Sequence, residues 1–332
     1  MECNIYDSRL EKIGILNSFI SMTWNEQYSD KGSFSLAVYK DADSLAWLQE
    51  GHFVGTRAFD TLMYIYSVEQ KSNQIWAYGA ESKVLLQRKI YNGTLKCKNV
   101  ESTLKQAVLE KNPFPFVSVA ENKGLSKSTN SQRSYNSLFD LSKVWCDAVS
   151  YGFKFKHDKI ARKLVYDIYD GNVIEDMVFA EKYGNLYNFK STLSEKNWAN
   201  VAYVAGAGEG ADRTIVLCGD TSTSDLDRSE IYIDARDLQK EEGQTTEEYE
   251  QILRNRGLET LEARKKVDEI SFEVEASELG SLYHLGDLVP FVSPNNNKRS
   301  YIRINGFTTV FENNKTTTKL QIGNPILRSE IK

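Results

Sequence analysis

The sequence has little of what defines the specialised classes of protein. Its 332 residues include only 5 prolines, 20 glycines, 4 cysteines and 3 histidines, which excludes a collagen-like, low-complexity or disulfide-rich chain. Every stretch of 18 residues contains a charge, so no transmembrane helix is expected. The first residues also lack the basic and apolar regions of a secretory signal. The cysteines are far apart, and we expect them to be reduced thiols of a protein made in a cytoplasm.

A surplus of basic charge is missing as well. The 41 lysines and arginines are outnumbered by 46 acidic residues, which gives a net charge of −5. This balance disfavours a general nucleic-acid binder, because such proteins neutralise phosphates with basic side chains. The acids are concentrated in residues 205–250, where 13 acidic and 4 basic residues give a net charge of −9. That segment is either a solvated helix face with acidic loops or a surface that must repel a polyanion.

No pattern of catalytic or ligand-binding residues stands out. The histidines are isolated from one another, and no serine lies in a Gly-x-Ser-x-Gly turn. The glycine-rich run at 206–210 is followed by an apolar strand pattern, whereas a phosphate-binding loop requires a helix there. The acidic stretch that starts at Asp220 has Asp225 and Ile231 where a calcium loop needs Gly and Glu. We therefore predict a protein that is not an enzyme and has no cofactor or metal site.

Hydrophobic patterning divides the chain into three segments of a mainly β protein with α+β parts. Residues 1–95 show the period-two alternation of strands, and residues 96–180 mix helical and strand patterns. Residues 181–332 return to strands, interrupted by an outer helix at about 245–267 that begins with a capping box at Thr245.

Several elements of the middle segment are specific enough to test. A helix is predicted to begin after Asn99, and another is expected over residues 134–149. The polar stretch 121–133 between them reads as an exposed loop. A hairpin is expected from residues 163–169 and 173–179, across the Asp-Gly turn that separates them.

Four stretches, taken in order along the chain, form a recognisable pattern. They are Trp24–Phe34, with Gly32 before an alternating strand; Asn200–Arg213, with the sequence NVAYVAGAGEGADR; Arg228–Asp237, with the sequence RSEIYIDARD; and Leu285–Val289, with the sequence LGDLV. Together they resemble the siphovirus tail proteins of the ReqiPepy type, over nearly the whole chain.

The resemblance implies a structural hub at the tail tip or baseplate of a phage or phage-like particle, where it joins the tail tube to a central spike or tip protein and forms part of the conduit. Such hubs are trimers with two tube-type β-barrel domains per chain, so that three chains match a sixfold tube. We expect a first tube-type domain at 1–95, a small α/β insert at 96–180 and a second tube-type domain at 181–332, with strands exchanged between segments. The implied partners are the tail tube or a distal tail protein, the spike and a tape-measure protein. DNA, where a genome is carried, would pass without specific binding, and no membrane anchor is implied.

Two other functions stay open. The aromatic content of 11% suits a receptor- or carbohydrate-binding tail component, and a peptidoglycan hydrolase is a further alternative. The particle could be a siphophage, a contractile phage or a bacteriocin-like particle. Because the sequence ends soon after Gly323-Asn324-Pro325, we expect any fibre or hydrolase module to be a separate protein.

Two groups of residues are predicted to act in assembly and in the conduit. The glycine-rich loop, with Gly206, Gly208, Gly210 and the anchor Arg213, is expected to contact a neighbouring chain or the spike. The acids Asp220, Asp225 and Asp227 are expected to line the lumen, because a basic wall would bind DNA and stall its passage.

Overall fold

The structure, a computed structural model, describes residues 2–111, 114–210, 213–275, 278–312, 315–323 and 326. Its strands are β1 Cys3–Tyr6, β2 Lys12–Leu16, β3 Ser21–Gln27, β4 Ser33–Tyr39, β5 Phe53–Thr56, β6 Met63–Gln70, β7 Gln74–Glu81, β8 Thr94–Asn99, β9 Val117–Val119, β10 Ser128–Ser134, β11 Gly152–Asp158, β12 Lys163–Tyr169, β13 Tyr187–Ser194, β14 Val201–Ala205, β15 Ile215–Gly219, β16 Glu230–Asp234, β17 Val267–Val274, β18 Leu288–Val292, β19 Arg299–Glu312 and β20 Lys315–Ile322. Its α-helices are α1 Ala42–Trp47, α2 Val100–Lys111, α3 Leu138–Val149 and α4 Thr246–Glu262. Short 3-10 helices occupy Ser82–Arg88, Glu181–Tyr183 and Asp225–Asp227. The chain is therefore mainly β with helical parts, as expected from its patterning.

A 12-stranded sheet joins the two ends of the chain. Its order is β13-β17-β20-β19-β3-β4-β7-β6-β5-β1-β2, and β18 pairs with β19 at one side. The first and last parts of the sequence meet where β3 and β19 run antiparallel, with Trp24 opposite Thr309. One apolar core serves both parts, since it includes the buried Trp24, Phe272 and Phe291. Among the described residues, β2 and β13 do not pair with each other, so the sheet has two open edges.

A second unit packs on the first part of this sheet. The helices α2 and α3 cover β8 to β12, and the core between them contains Trp145, Phe153 and Tyr166. Asn99 accepts a hydrogen bond from Ser102 N at 2.9 Å, which confirms the predicted helix start. The other helix begins four residues later than expected, because Ser137, and not Ser134, is its N-terminal cap.

Two predictions for the second unit are wrong. β12 pairs with β11 antiparallel and with β9 parallel, whereas residues 173–179 meet β18 only through isolated bridges at Val173 and Phe179. The reason is that the apolar side chains of β12 face the second core and Phe179 faces the main core. The stretch 121–133 is also not a loop throughout, because β10 pairs with β8. Its polar composition hid a strand whose Ser131 accepts a hydrogen bond from the Trp145 indole at 3.1 Å.

A third unit is inserted between β13 and β17. Its small sheet has the order β15-β14-β16, in which β14 is antiparallel to β15 and parallel to β16. The predicted capping box is present, since Thr245 accepts from Glu248 N and Glu248 from Thr245 N. The helix α4 runs unbroken through Gly257, which lies so close to the sheet that a Cβ there would overlap the sulfur of Cys218. Helix propensity alone disfavours glycine within a helix, but packing against the sheet requires it at this position.

Candidate assembly surfaces

The glycine-rich loop joins β14 to β15 and is held from two sides. A Cβ at Gly206 would overlap the hydroxyl of Tyr249, which accepts from Ala207 N at 2.8 Å and donates to Leu238 O at 2.7 Å. Gly208 and Gly210 have φ of +104° and +57°, a region that other residues adopt at a cost. Packing and backbone angles within the chain therefore account for all three glycines. Their predicted contact with another chain stays a prediction.

Arg213 fastens this loop to the edge of the small sheet. Its guanidinium donates to Gly206 O at 2.8 Å and to Ala205 O at 2.9 Å, and it forms an ion pair with Asp234 at 2.5 Å. Hydrogen bonds from Arg236, together with those from Arg213, hold the pKa of Asp234 well below its usual range. Arg213 thus holds the loop within the chain, and the predicted contact of this loop with a neighbouring chain or the spike stays a prediction.

The predicted lumen acids lie together in the connection from β15 to β16. Asp220 accepts a hydrogen bond from the Ser222 hydroxyl at 2.7 Å, and Asp225 and Asp227 belong to an exposed 3-10 turn. Arg228 braces the connection from below by donating to Thr221 O and Thr223 O, each at 3.2 Å. The acids are therefore solvent-exposed side chains on a held loop, and their position relative to a conduit stays a prediction.

Among the described residues, the outer face of the small sheet carries several exposed side chains. Tyr203 on β14 lies opposite Tyr232 on β16, and both rings are exposed together with Ile215 on β15. The inner face of the same sheet is buried under α4. A sheet that is covered on one face and aromatic on the other has a surface suited to contact with another molecule.

Charged side chains of α4 and β10 link the third unit to the second. Arg256 on α4 donates to Gln132 O at 3.0 Å and pairs with Asp237 at 3.0 Å. Arg133 on β10 pairs with Glu259 at 2.7 Å. Because these groups are largely removed from water, loss of one partner would leave the other charge poorly compensated.

The Leu-Gly-Asp-x-Val motif lies where the last segment meets the second unit. Gly286 has a φ of +95°, and a Cβ there would overlap the ring of Tyr28. Asp287 is buried and accepts hydrogen bonds from Asn172 N and His284 N, both at 2.7 Å. The Tyr28 hydroxyl in turn accepts from Gly171 N at 3.2 Å. The motif therefore fixes a junction between segments that are far apart in sequence.

A cleft of about 460 Å³ opens at this same junction. Its lining includes the buried acids Glu26 and Glu81 and, towards solvent, lysines such as Lys154. Glu81 and Lys83 are 2% and 1% exposed, and their charged groups are 3.1 Å apart. Burial raises the pKa of Glu81 to about 7, although Lys83 opposes the change.

This charged cluster was not predicted from the sequence. Glu81 accepts from Gln27 N at 3.0 Å and from Gly32 N at 2.7 Å, and Lys83 donates to Phe153 O at 3.3 Å. The cluster thus links the main sheet to the second unit. The only sequence signal was indirect: acidic and basic residues follow at the end of an otherwise apolar strand.

The described residues contain no group of three or more His, Cys, Asp or Glu side chains arranged to hold a metal ion. All four cysteines are buried, and burial raises the pKa of the Cys3 thiol to about 12, which disfavours a reactive thiolate. Burial also lowers the pKa of His157 to about 4. In the part of the chain that the structure describes, no helix is long and apolar enough to cross a membrane.

Solved phage tail proteins share this fold over nearly their whole length. The tail protein from Neisseria meningitidis MC58 matches with a TM-score of 0.58 and 11% identity, covering 97% of this chain and 96% of that one. The 43 kDa tail protein of prophage MuSo2 from Shewanella oneidensis matches with a TM-score of 0.59 and 11% identity, covering 97% and 98%. The prophage tail protein gp18 from Listeria monocytogenes EGD-e matches with a TM-score of 0.54 and 10% identity, covering 97% and 94%. At these identities the likeness shows the fold alone, and that fold is one found in phage tail proteins.

The sequence identifies the family. The Siphovirus ReqiPepy6 Gp37-like protein family matches residues 84–324, which is more than half of the chain. The chain therefore belongs to this family, and the resemblance seen in its motifs is confirmed. No curated protein sequence matches the chain. Family and fold together support a structural role in a phage tail.

Proposed function

We propose that this protein is the structural hub of a phage or phage-like tail tip, joining the tail tube to a central spike or tip protein. The observation that carries the proposal is the combination of family membership with a tail-protein fold that extends over 97% of the chain. The Glu81 cluster and the Asp287 junction hold the units together but offer no arrangement of catalytic groups. In this proposal the protein functions through contacts that its surfaces make with other tail proteins.

The proposal includes two tube-type halves in one chain. One half consists of β1 to β7, and the other of β13, β17, β19 and β20, joined at the β3–β19 pair. In terms of sequence these halves correspond to 1–95 and 181–332, with the α/β insert 96–180 and the outer helix attached outside. Both halves contribute side chains to one apolar core, and this shared core supports the proposal that they form together.

The open edges of the main sheet suit a closed ring. In the part of the chain that the structure describes, β2 and β13 are the outermost strands of the sheet, and such edge strands can pair with a strand of a neighbour. These are two different surfaces, and a contact between different surfaces closes into a ring when its rotation allows. We infer a ring of three chains, formed in isolation or on binding the tube or spike.

The ring would contact the tail tube or a distal tail protein on one side and a spike or tape-measure protein on the other. A neutral to acidic wall would let DNA pass without binding it, and the net charge of −9 in residues 205–250 is compatible with such a wall. The lumen role of Asp220 is part of this proposal, whereas the neighbouring Asp225 and Asp227 also suit a contact with another copy. Location in the tail of a virion or phage-like particle follows from it.

Native mass spectrometry of the full chain tests the proposal, first alone and then with the tail tube and spike proteins of the same particle. The expected species contains three copies. A chain that remains monomeric under all of these conditions, or forms only even-numbered assemblies, contradicts the hub.

One observation favours a second candidate, a carbohydrate-binding tail component. Tyr203 and Tyr232 expose neighbouring rings on the outer face of the small sheet, and aromatic rings can stack on sugars. Binding of host cell-wall glycans that is lost in Tyr232→Ser, in a chain that stays monomeric, would favour this candidate over the hub.

A further inference from the structure

Two turns of this chain expose a large apolar side chain almost completely. Ile160, between β11 and β12, is 97% exposed, and Leu226, between β15 and β16, is 95% exposed. They are the most exposed of the large apolar side chains that the structure describes. Since both are exposed, they do not contact each other within one chain. Each therefore has apolar surface available to another molecule.

The turn of Ile160 borders a basic cleft. The cleft has a volume of about 500 Å³, and its charged lining includes Lys12, Arg57, Lys159 and Arg162. Glu11 also lines it and pairs with Arg162, and Arg57 pairs with Glu2 at 3.3 Å, so the cations still outnumber the acids.

The interior of the same cleft is less polar than its rim. Buried Tyr6 and Leu10 contribute apolar surface to the lining. Buried Asn4 lies beside them, so the cleft combines basic side chains with a buried, partly apolar lining, and its volume is ample for one aliphatic side chain.

The turn of Leu226 has the complementary character. Asp225 and Asp227 flank the leucine on both sides, and all three residues form one 3-10 turn. Asp225 has a φ of +53°, which fixes the turn in a conformation that aspartate tolerates better than most residues. Asn200 donates to Asp227 O at 2.8 Å, so the tip is held from its base.

We propose that the Leu226 tip of one copy docks into the basic cleft of a second copy, with Asp225 and Asp227 against the lysines and arginines of its rim. Opposite charges on the two surfaces favour this orientation and disfavour contact between like surfaces. The contact joins two different surfaces and is therefore of the kind that builds rings. It rests on the proposed hub, which supplies the neighbouring copy, and it assigns Asp225 and Asp227 to an interface in place of the lumen.

Cross-linking between two variants that each carry one added cysteine tests the contact. The native cysteines are buried, so Ile160→Cys and Leu226→Cys each add one accessible thiol. When the two full-length variants are mixed and treated with a short bismaleimide, a product containing one chain of each kind is expected. The matched control replaces Ile160→Cys by Tyr135→Cys, an exposed position elsewhere on the second unit, and should give at most a trace of product.

Charge reversal tests the electrostatic part. Asp227→Lys should weaken self-association by about tenfold or more, since close charge pairs across interfaces couple by at least the ~1.4 kcal/mol that tenfold represents. Lys159→Glu in the partner should recover much of that loss. Glu247→Lys, an exposed reversal on α4, controls for the change in net charge.

The outcomes separate this inference from the proposed function. A three-copy species without the cross-link, and without an effect of Asp227→Lys, overturns the docking while the hub stands. A chain that stays monomeric both alone and with the tail tube and spike proteins, and that gives no cross-link under either condition, contradicts both. If Asp227→Lys prevents incorporation into particles but the cross-link is absent, the tip binds a different tail protein and the inference is wrong.

Discussion

Replacing Glu81 with glutamine should change how the stability of the protein depends on pH. Glu81 is buried beside Lys83, and burial raises its pKa from 4.5 to about 7. In the unfolded chain the carboxyl loses its proton near its ordinary pKa of 4.5. Between these two values the folded protein therefore holds one proton more than the unfolded chain.

The sign and size of the effect follow from this difference. A group with a higher pKa in the folded state stabilises the fold at low pH, and its contribution is lost as pH rises towards the folded pKa. The span from 4.5 to about 7 corresponds to about 3 kcal/mol of unfolding free energy. In Glu81→Gln no carboxyl titrates at this position, so this loss is absent. The unfolding free energy of the variant minus that of the wild type should therefore rise by about that amount between pH 4.5 and 7. Glu26, whose pKa burial also raises, is present in both proteins, and its charge adds to the rise in the pKa of Glu81.

Urea unfolding at a series of pH values, followed by fluorescence of the buried Trp24 and Trp145, measures the difference. Glu69→Gln is the matched control, because Glu69 is half-exposed on β6 and should shift stability by only a few tenths of a kcal/mol. If the curves of wild type and Glu81→Gln run parallel from pH 4.5 to 7, the carboxyl is not perturbed by burial and the reasoning is refuted.

Two further substitutions test the third unit. Gly257→Ala should destabilise this unit by roughly 1–3 kcal/mol in thermal unfolding despite the better helix propensity of alanine, because the alanine Cβ would overlap Cys218. Leu258→Ala, at a half-exposed position on the same helix, is the control and should have a small effect. Equal destabilisation by the two substitutions would refute the close packing at Gly257. Arg213→Lys should speed limited proteolysis within residues 206–210 by about tenfold, the equivalent of ~1.4 kcal/mol, because the hydrogen bonds of Arg213 to Gly206 O and Ala205 O are lost. Arg236→Lys is the control and should leave the rate of cleavage in this loop unchanged. An unchanged rate in Arg213→Lys would contradict the role of Arg213 in holding the loop.

Local features were predictable from sequence because their causes are local. The helix starts at Asn99 and Thr245 depend on a side chain and an N–H three residues away, and both were predicted correctly. The hairpin around the glycine-rich loop was also recognisable, since β14 and β15 pair directly across it.

Pairings between distant segments were not predictable in this way. The β3–β19 pair brings together residues almost 300 positions apart, and the sequence of neither strand indicates which strand it pairs with. β12 was assigned to the wrong hairpin because two apolar strands near a turn look alike, whichever core they face. The same limit hid the Glu81–Lys83 pair, whose burial depends on the second unit.

Surface features divide similarly. Acidic concentration in residues 205–250 is readable from composition, but the exposure of Leu226 and Ile160 is not, since an isolated apolar residue in a turn has the same sequence appearance when it is buried. The role of Gly257 is not readable from sequence for a related reason: helix propensity is a local property, whereas its contact with the small sheet is tertiary.

A reconstruction of the intact particle tests the central claim most directly. The account predicts three copies of this chain in a closed ring at the end of the tail tube, with the 12-stranded sheets around the conduit and the second unit outside. One or six copies at the tail tip, or a position of this chain away from the end of the tube, would contradict it.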